Sequence, residues 1–248
     1  MDKLNFQQKR TAAERIWANS RLAANSELRN DGSPSWNIHR TDPSEYFRNG
    51  GEGWKDRIMN YFDVLHKRGD TIVYVDICGT ADGAKIGADK SYAFSLRTPN
   101  TIEKRTDRVF FEGDLFSKKD LQKFMRELVH NENRPAFVTF EPSGGFFDRP
   151  GIYSANISSS GLEVGREKTL LVYSRLASNL KTIIGTLKPG GFILVGFFEM
   201  DYMKRTDVET IKTKIASIAQ HTGCSFEAGA SIGSSNRYLI RKSDTIVE

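Results

Sequence analysis

From Thr71 onward the chain alternates short apolar, β-branched runs with longer stretches of helical spacing, and this alternation limits its folds more than any other feature. Strands are expected at about 71–77, 91–97, 108–113, 136–141, 191–198 and 235–241, and helices at about 118–131, 165–187 and 205–221. Strands joined by helical crossovers pair in parallel, and the right-handed connection puts helices on both faces of one sheet. "LKPGGFILVGFF" reads as a helix end, a Pro-Gly-Gly turn and a buried strand. "CSFEAGA" (Cys224 to Ala230) lies just before "SSNRYLIRK" (Ser234 to Lys242), so a hairpin between them would add an antiparallel edge. Upstream, Trp54, Ile58, Phe62 and Leu65 share one side of a helix. Residues 8–29 read as a further, Ala-rich helix, and Asn30 to Gly53 is turn-rich. The organisation expected is a helical extension over 1–53 and one α/β domain over 54–248.

Composition narrows the classes. With 38% hydrophobic and 27% charged residues, the chain is globular. The longest apolar run, Phe192 to Phe198, is too short to span a bilayer, so no membrane role is expected. The opening "MDKLNFQQKR" lacks the apolar core of a signal peptide, so an intracellular, cytoplasmic location is expected. The two cysteines, Cys78 and Cys224, and the four scattered histidines offer neither a disulfide framework nor a metal-binding pattern, so no metal is expected. A net charge of +5 suits an RNA partner and equally suits ordinary solvated lysines and arginines.

"TIVYVDICGTADGAKIGAD" carries the first chemical signal. An apolar run meets Asp76, then a small-residue loop containing Gly79, Gly83 and Gly87. The carboxyl end of a parallel strand is where a nucleotide-type cofactor is cradled. The glycines do not follow G-x-G-x-x-G and no Walker A lysine loop is present, which sets aside dinucleotide dehydrogenases and P-loop enzymes. Asp82 either caps the following helix or meets a cofactor ammonium. Asp114 ends the third strand, where a carboxylate accepts a hydrogen bond from an exocyclic amine or caps the next helix. Glu141 ends the fourth strand beside Gly144 and Gly145. Phe146 and Phe147 follow, either to stack on a base or to fill the core.

The order of these elements resembles a class I S-adenosylmethionine methyltransferase, a Rossmann-like α/β fold with a mostly parallel sheet. From Trp54 to Lys242 the chain resembles the FtsJ-type RNA ribose 2′-O-methyltransferases, including those that act on mRNA caps. "DICGTADGA" is similar to their "D-[LIV]-C-x-G-P-G-G-F" loop, "EGDLFSKKDL" to their Gly-Asp-plus-helix segment, "EPSGGFF" to "ADGGF" and "SSNRYLIRK" to "SERYVVCK". "GADKSYAFSLRTPN" is similar to the "GFG-T-LKGPN" segment of the cap enzymes. The resemblance implies S-adenosylmethionine as cofactor, held by Asp76, Cys78, Gly79, Asp82, Gly83 and Asp114. It implies RNA as substrate, met by Phe146, Asn236 and Arg237. Of the family's Lys-Asp-Lys-Glu tetrad, Lys55 matches the first lysine and Glu141 the aspartate. Gly196 stands at the second lysine and Asn236 at the glutamate. Those two departures support an alternative: a catalytically inactive relative that binds RNA or a protein partner through the same fold. The basic runs Lys104-Arg105, Lys118-Lys119 and Lys204-Arg205, with Arg237, Arg241 and Lys242, form an RNA track if they share a side.

Overall fold

Seven strands make one sheet in the order β3-β2-β1-β4-β5-β7-β6. The computed structural model describes residues 43, 47, 51–77, 83–95, 108–113, 118–140, 177, 179–198, 204–229 and 235–244. The strands are β1 (Val73–Ile77), β2 (Lys90–Ser95), β3 (Arg108–Glu112), β4 (Phe137–Phe140), β5 (Phe192–Phe198), β6 (Cys224–Ala228) and β7 (Ser235–Lys242). The helices are α1 (Trp54–Lys67), α2 (Lys118–His130), α3 (residues 179–186) and α4 (Arg205–His221). A 3₁₀ turn, Gly83–Ile86, lies between β1 and β2.

β1 to β5 pair in parallel, β7 runs antiparallel to β5, and β6 pairs antiparallel with β7. The expected strands, the Trp54 helix and the closing hairpin are therefore all found. The expected helix at 165–187 is helical at residue 177 and over 179–186. The expected helix at 8–29 lies outside the described residues.

Every residue of β1 and β4 is buried, as central strands covered on both faces must be. The register aligns one row across all seven strands: Phe110, Ala93, Asp76, Thr139, Leu194, Leu239 and Glu227. Paired residues point to the same face, so this row defines one side of the sheet.

That side is covered by α1 through Trp54, Ile58, Phe62 and Leu65, which meet Ile72, Tyr74, Phe137, Phe192, Leu194 and Leu239. The stripe spacing of three and four residues explains why α1 docks on this face. The opposite side packs Val73, Val75, Ile77, Val138, Phe140, Ile193 and Val195 beneath α2, α3 and α4. Phe124 of α2 stacks on Phe94 with ring centroids 5.2 Å apart and meets Phe111 at 4.9 Å. Among the described residues, no helix is long and apolar enough to cross a membrane.

Candidate cofactor site

Because β1 to β5 are parallel, their carboxyl ends share one edge. At that edge β1 ends on Asp76 and Ile77, and the chain returns to described structure at Gly83. These positions bracket the segment 78–82 on both sides.

Asp76 is completely buried. Its Oδ1 accepts a hydrogen bond from Thr139 Oγ1 at 2.7 Å, across the β1–β4 pairing that sets the two residues side by side. Thr139 Oγ1 lies 2.6 Å from the Tyr74 hydroxyl. A carboxylate only accepts, and a threonine hydroxyl has one proton. With the Thr139 proton committed to Asp76, Tyr74 donates to Thr139. The result is a directed chain, Tyr74 to Thr139 to Asp76, on the α1 face of the two central strands.

Tyr74 also forms the floor under the returning chain. A Cβ at Gly83 would come within 2.7 Å of Tyr74 Cβ and 2.6 Å of Ser91 Oγ. The Gly83 N–H donates to Ser91 Oγ at 2.8 Å. The backbone at Gly83 therefore lies directly against β1 and β2, where a Cβ would force its neighbours to shift. Farther on, Asp89 Oδ2 accepts the Ile72 N–H at 2.7 Å, and Asp89 and Lys90 donate backbone N–H groups to Ile72 O. The return is thus tied to the amino-terminal half of β1, at Ile72 and Tyr74, and to Ser91 of β2. After β3, a Cβ on Gly113 would meet the Phe94 ring at 2.6 Å, so Gly113 also packs directly against the neighbouring strand.

The other expected site residues divide as follows. Cys78, Gly79, Asp82, Asp114, Glu141 and Phe146 lie outside the described residues. Lys55 is exposed on α1. Its neighbours Trp54 and Arg57 both bond to Glu227 of β6, the edge strand four places from β1. The structure does not bring Lys55 to Asp76.

Gly196 pairs with Arg237, and Asn236 pairs with Phe197. Successive residues of a strand face opposite ways, so Gly196 and Asn236 lie on opposite faces. Arg237 shares the face of Asp76 and Thr139, two residues farther toward the carboxyl end of β5, and is 3% exposed. Asn236 is also buried, with no hydrogen-bond partner for Nδ2 among the described residues.

The basic residues do not all share a side. Lys119, Lys204 and Arg205 are exposed at the starts of α2 and α4, the helices that follow β3 and β5 at the carboxyl edge. Arg241 and Lys242 flank the opposite end of β5, where Arg241 pairs with Phe192 in register. Arg241 is held by Asp244 at 2.7 Å and lies over the Phe192 ring. Lys242 Nζ donates to Leu187 O at 2.9 Å, and burial pushes its pKa down. Lys104 and Arg105 lie outside the described residues, and the described cations fall at two edges of the sheet. Among the described residues, no group of His, Cys, Asp and Glu could hold a metal.

Tyr74 and Thr139 are absent from the residues that sequence reasoning singles out. The signal lies in strand alternation: in "TIVYVDI" the polar-tipped Tyr74 sits two places before Asp76, on the same face.

The strand order, with one antiparallel strand inserted between β5 and β6, is that of the Rossmann-like class I methyltransferase fold, as expected. No protein-family model matches the chain, and no curated protein matches it. Among solved structures it is similar to the N-methyltransferase NodS of Bradyrhizobium japonicum bound to S-adenosylhomocysteine, with 11% identity and a TM-score of 0.43 over 90% of this chain and 98% of that one. It is also similar to the plantazolicin methyltransferase BpumL with S-adenosylhomocysteine, with 10% identity and a TM-score of 0.44 over 94% of this chain and 98% of that one. A protein described as "a putative SAM-dependent methyltransferase from Streptococcus mutans" aligns at 10% identity and a TM-score of 0.44 over 75% of this chain. The chain spans 47% of that protein's length.

Proposed function

We propose that the protein binds S-adenosylmethionine at the carboxyl edge of β1 and transfers its methyl group to an RNA ribose hydroxyl. The observation that carries the cofactor reading is Asp76, buried at the end of the central strand, with the chain returning through Gly83, whose backbone lies against Tyr74 and Ser91. A buried carboxylate at the carboxyl end of β1 and a glycine backbone close to the sheet fit a nucleoside-type ligand. Cys78, Gly79, Asp82 and Asp114 complete the set that the sequence resemblance assigns to it.

The cofactor supplies an electrophilic methyl on a sulfonium. The chain's own residues must orient the acceptor oxygen and receive its proton. Glu141, the residue directly after β4, is our assignment for the latter. Gly196 brings no amine to the acceptor, so a slow reaction is expected compared with enzymes that carry a lysine there.

RNA as substrate rests on the resemblance and on Lys119, Lys204 and Arg205 at the carboxyl edge. These cations sit at helix N-termini, where the helix dipole already disfavours positive charge. An anionic partner would offset that cost.

The second reading, a non-catalytic protein that binds RNA or a protein through this fold, is favoured by the positions of Gly196 and Asn236. A lysine and a glutamate placed there would project from opposite faces of the β5–β7 pair. Calorimetric titration with S-adenosylhomocysteine, followed by transfer of labelled methyl to capped and uncapped RNA, separates the readings. Binding with transfer supports the enzyme. Binding without transfer supports the second reading. Absence of binding at millimolar ligand removes the cofactor assignment.

A further inference from the structure

β1, β4 and β5 are neighbours in the sheet, so the turns that enter them lie side by side at the amino edge, opposite the edge assigned to the cofactor. Those turns follow α1, α2 and α3 and enclose a cavity of about 420 Å³. That size suits a small molecule. Tyr61, Leu65, Val129 and Pro189 give the cavity an apolar wall. The wall is fixed, because Tyr61 donates its hydroxyl proton to Pro189 O at 2.6 Å and its ring meets Phe192 edge-on, with centroids 5.7 Å apart. Arg68, Asp70, Glu132, Arg134 and Lys188 supply charge. Elsewhere an arginine closes on its carboxylate, Arg57 on Glu227 at 2.6 Å and Arg241 on Asp244 at 2.7 Å. In the cavity Lys188 pairs with Asp70 at 3.6 Å. Arg68, Glu132 and Arg134 line the same space and form no ion pair among the described residues; the Arg134 guanidinium reaches only Gly185 O, at 3.5 Å.

Glu132 is the lining residue that stability alone would not select. It follows α2 with φ 57, and among the described residues no other non-glycine residue has a positive φ. Its N–H donates to Val129 O, and the next N–H donates to Leu128 O, the hydrogen bonds that end a helix on a left-handed residue. Glycine suits that position, because a Cβ disfavours the left-handed conformation. A carboxylate at a helix C-terminus also meets the negative end of the dipole. Glutamate here carries two local costs, with no ion pair to offset them. We propose that the cavity binds a small zwitterion: an oxyanion and an ammonium group on a compact apolar body. The guanidiniums of Arg68 and Arg134 receive the oxyanion, whose paired oxygens match their planar forks. Glu132 receives the ammonium, which the C-terminal ends of α1, α2 and α3 also favour. The wall of Tyr61, Leu65, Val129 and Pro189 receives the body. The site stands apart from the cofactor reading, since it lies at the other end of the strands.

The test uses the full chain and three probes with one body: free phenylalanine, hydrocinnamate, which lacks the ammonium, and phenylalaninamide, which lacks the carboxylate. Binding is read by NMR from the amides of Gly69, Asn133 and Gly190, each beside a lining residue. Phenylalanine should shift these amides saturably. Each of the other two probes should bind about three- to fivefold more weakly, the scale of one partly exposed charge pair. Glu132→Gln should erase the preference for phenylalanine over hydrocinnamate. Arg68→Gln combined with Arg134→Gln should erase the preference for phenylalanine over phenylalaninamide. Glu132→Gly should lose the same preference as Glu132→Gln while melting no lower than wild type, because glycine relieves the positive φ. That pairing of kept stability with lost selectivity separates a ligand-binding glutamate from a structural one. Absence of saturation at tens of millimolar phenylalanine would overturn the proposal, as would equal affinity of wild type for the three probes. Selectivity unchanged in the variants, or a Glu132→Gly variant that melts well below wild type, would also overturn it.

Discussion

The two faces of the central strands solve different problems. On one, Val75, Ile77, Val138 and Phe140 meet three helices through apolar atoms alone. On the other, Tyr74, Asp76 and Thr139 interrupt an otherwise apolar surface under α1 with a chain of hydrogen bonds. Both faces are equally buried, so burial does not explain the difference. The apolar face gains from area removed from water, which is non-directional and tolerant of shape-conserving change. The polar face instead gains directional hydrogen bonds that join β1 to β4 through Thr139 and Asp76. Substitutions on the first face should therefore move stability, and on the second they should move binding.

The largest effect expected from that contrast is on the apolar face. Phe124 is completely buried between Phe94 and Phe111. Phe124→Ala should cost about 3–5 kcal/mol of stability through lost transfer energy and a cavity. A shift of the urea midpoint measures this. The affinity of the remaining folded protein for S-adenosylhomocysteine should be unchanged. A parallel loss of affinity would break the division between the faces.

Next in size is Gly83→Ala, on the polar face. The added methyl meets Tyr74 Cβ and Ser91 Oγ, and the former is anchored to backbone and cannot swing away. Overpacking of this kind costs about 1–3 kcal/mol. Ligand affinity should also fall at temperatures where the variant is folded, because the return of the segment is displaced. A variant that melts lower but binds as wild type would show that Gly83 serves packing only.

A smaller effect concerns the carboxyl edge as a surface. Replacing Lys119, Lys204 and Arg205 together by glutamine should reduce the salt dependence of binding to a single-stranded RNA, because each phosphate contact releases condensed counterions. Replacing Arg241 and Lys242 should leave that slope unchanged, since they flank the other end of β5. Equal slopes in both sets would dissolve the distinction between the edges.

How far the sequence revealed these features follows from what each interaction leaves in it. The strands of β1, β4 and β5 were legible because central strands are continuous apolar runs, and α1 because its buried residues recur at helical spacing. Asp76 was legible because a charge at the end of such a run is conspicuous. Tyr74 and Thr139 were not, because both are ordinary strand formers and nothing local marks their hydroxyls as bonded. Their pairing depends on β1 lying beside β4, which no local pattern specifies. Arg237 shows the reverse case. Its charge suggested an exposed contact with RNA, whereas the register places it on a covered face, 3% exposed. Likewise, adjacency in the motif "SSNRYLIRK" does not reveal that Asn236 and Arg237 point to opposite sides of the sheet.

The smallest expected effect lies at the far end of the row that contains Asp76 and Thr139. There Glu227 accepts two hydrogen bonds from Arg57, at 2.6 and 2.7 Å, and a third from Trp54 Nε1 at 3.2 Å. The Arg57 hydrogen bonds hold the Glu227 pKa below its usual value, although partial burial acts the other way. A lowered folded pKa means that the unfolded chain takes up this proton more readily. The stabilisation is therefore complete above the ordinary glutamate range, about pH 4.3, and is lost as pH falls through the lower folded value. Both partners are 43% exposed, so solvent screening limits the contribution to less than about 1 kcal/mol. Comparing the stability of wild type and Glu227→Gln from pH 7 down to about pH 3 measures it. The difference should favour wild type at neutral pH and shrink on acidification, and added salt should reduce it. A difference independent of pH would mean that Glu227 acts through its shape and neutral hydrogen bonds. The exposed end of the row would then resemble the buried Tyr74–Thr139–Asp76 chain in fixing geometry, and charge would not distinguish the two ends.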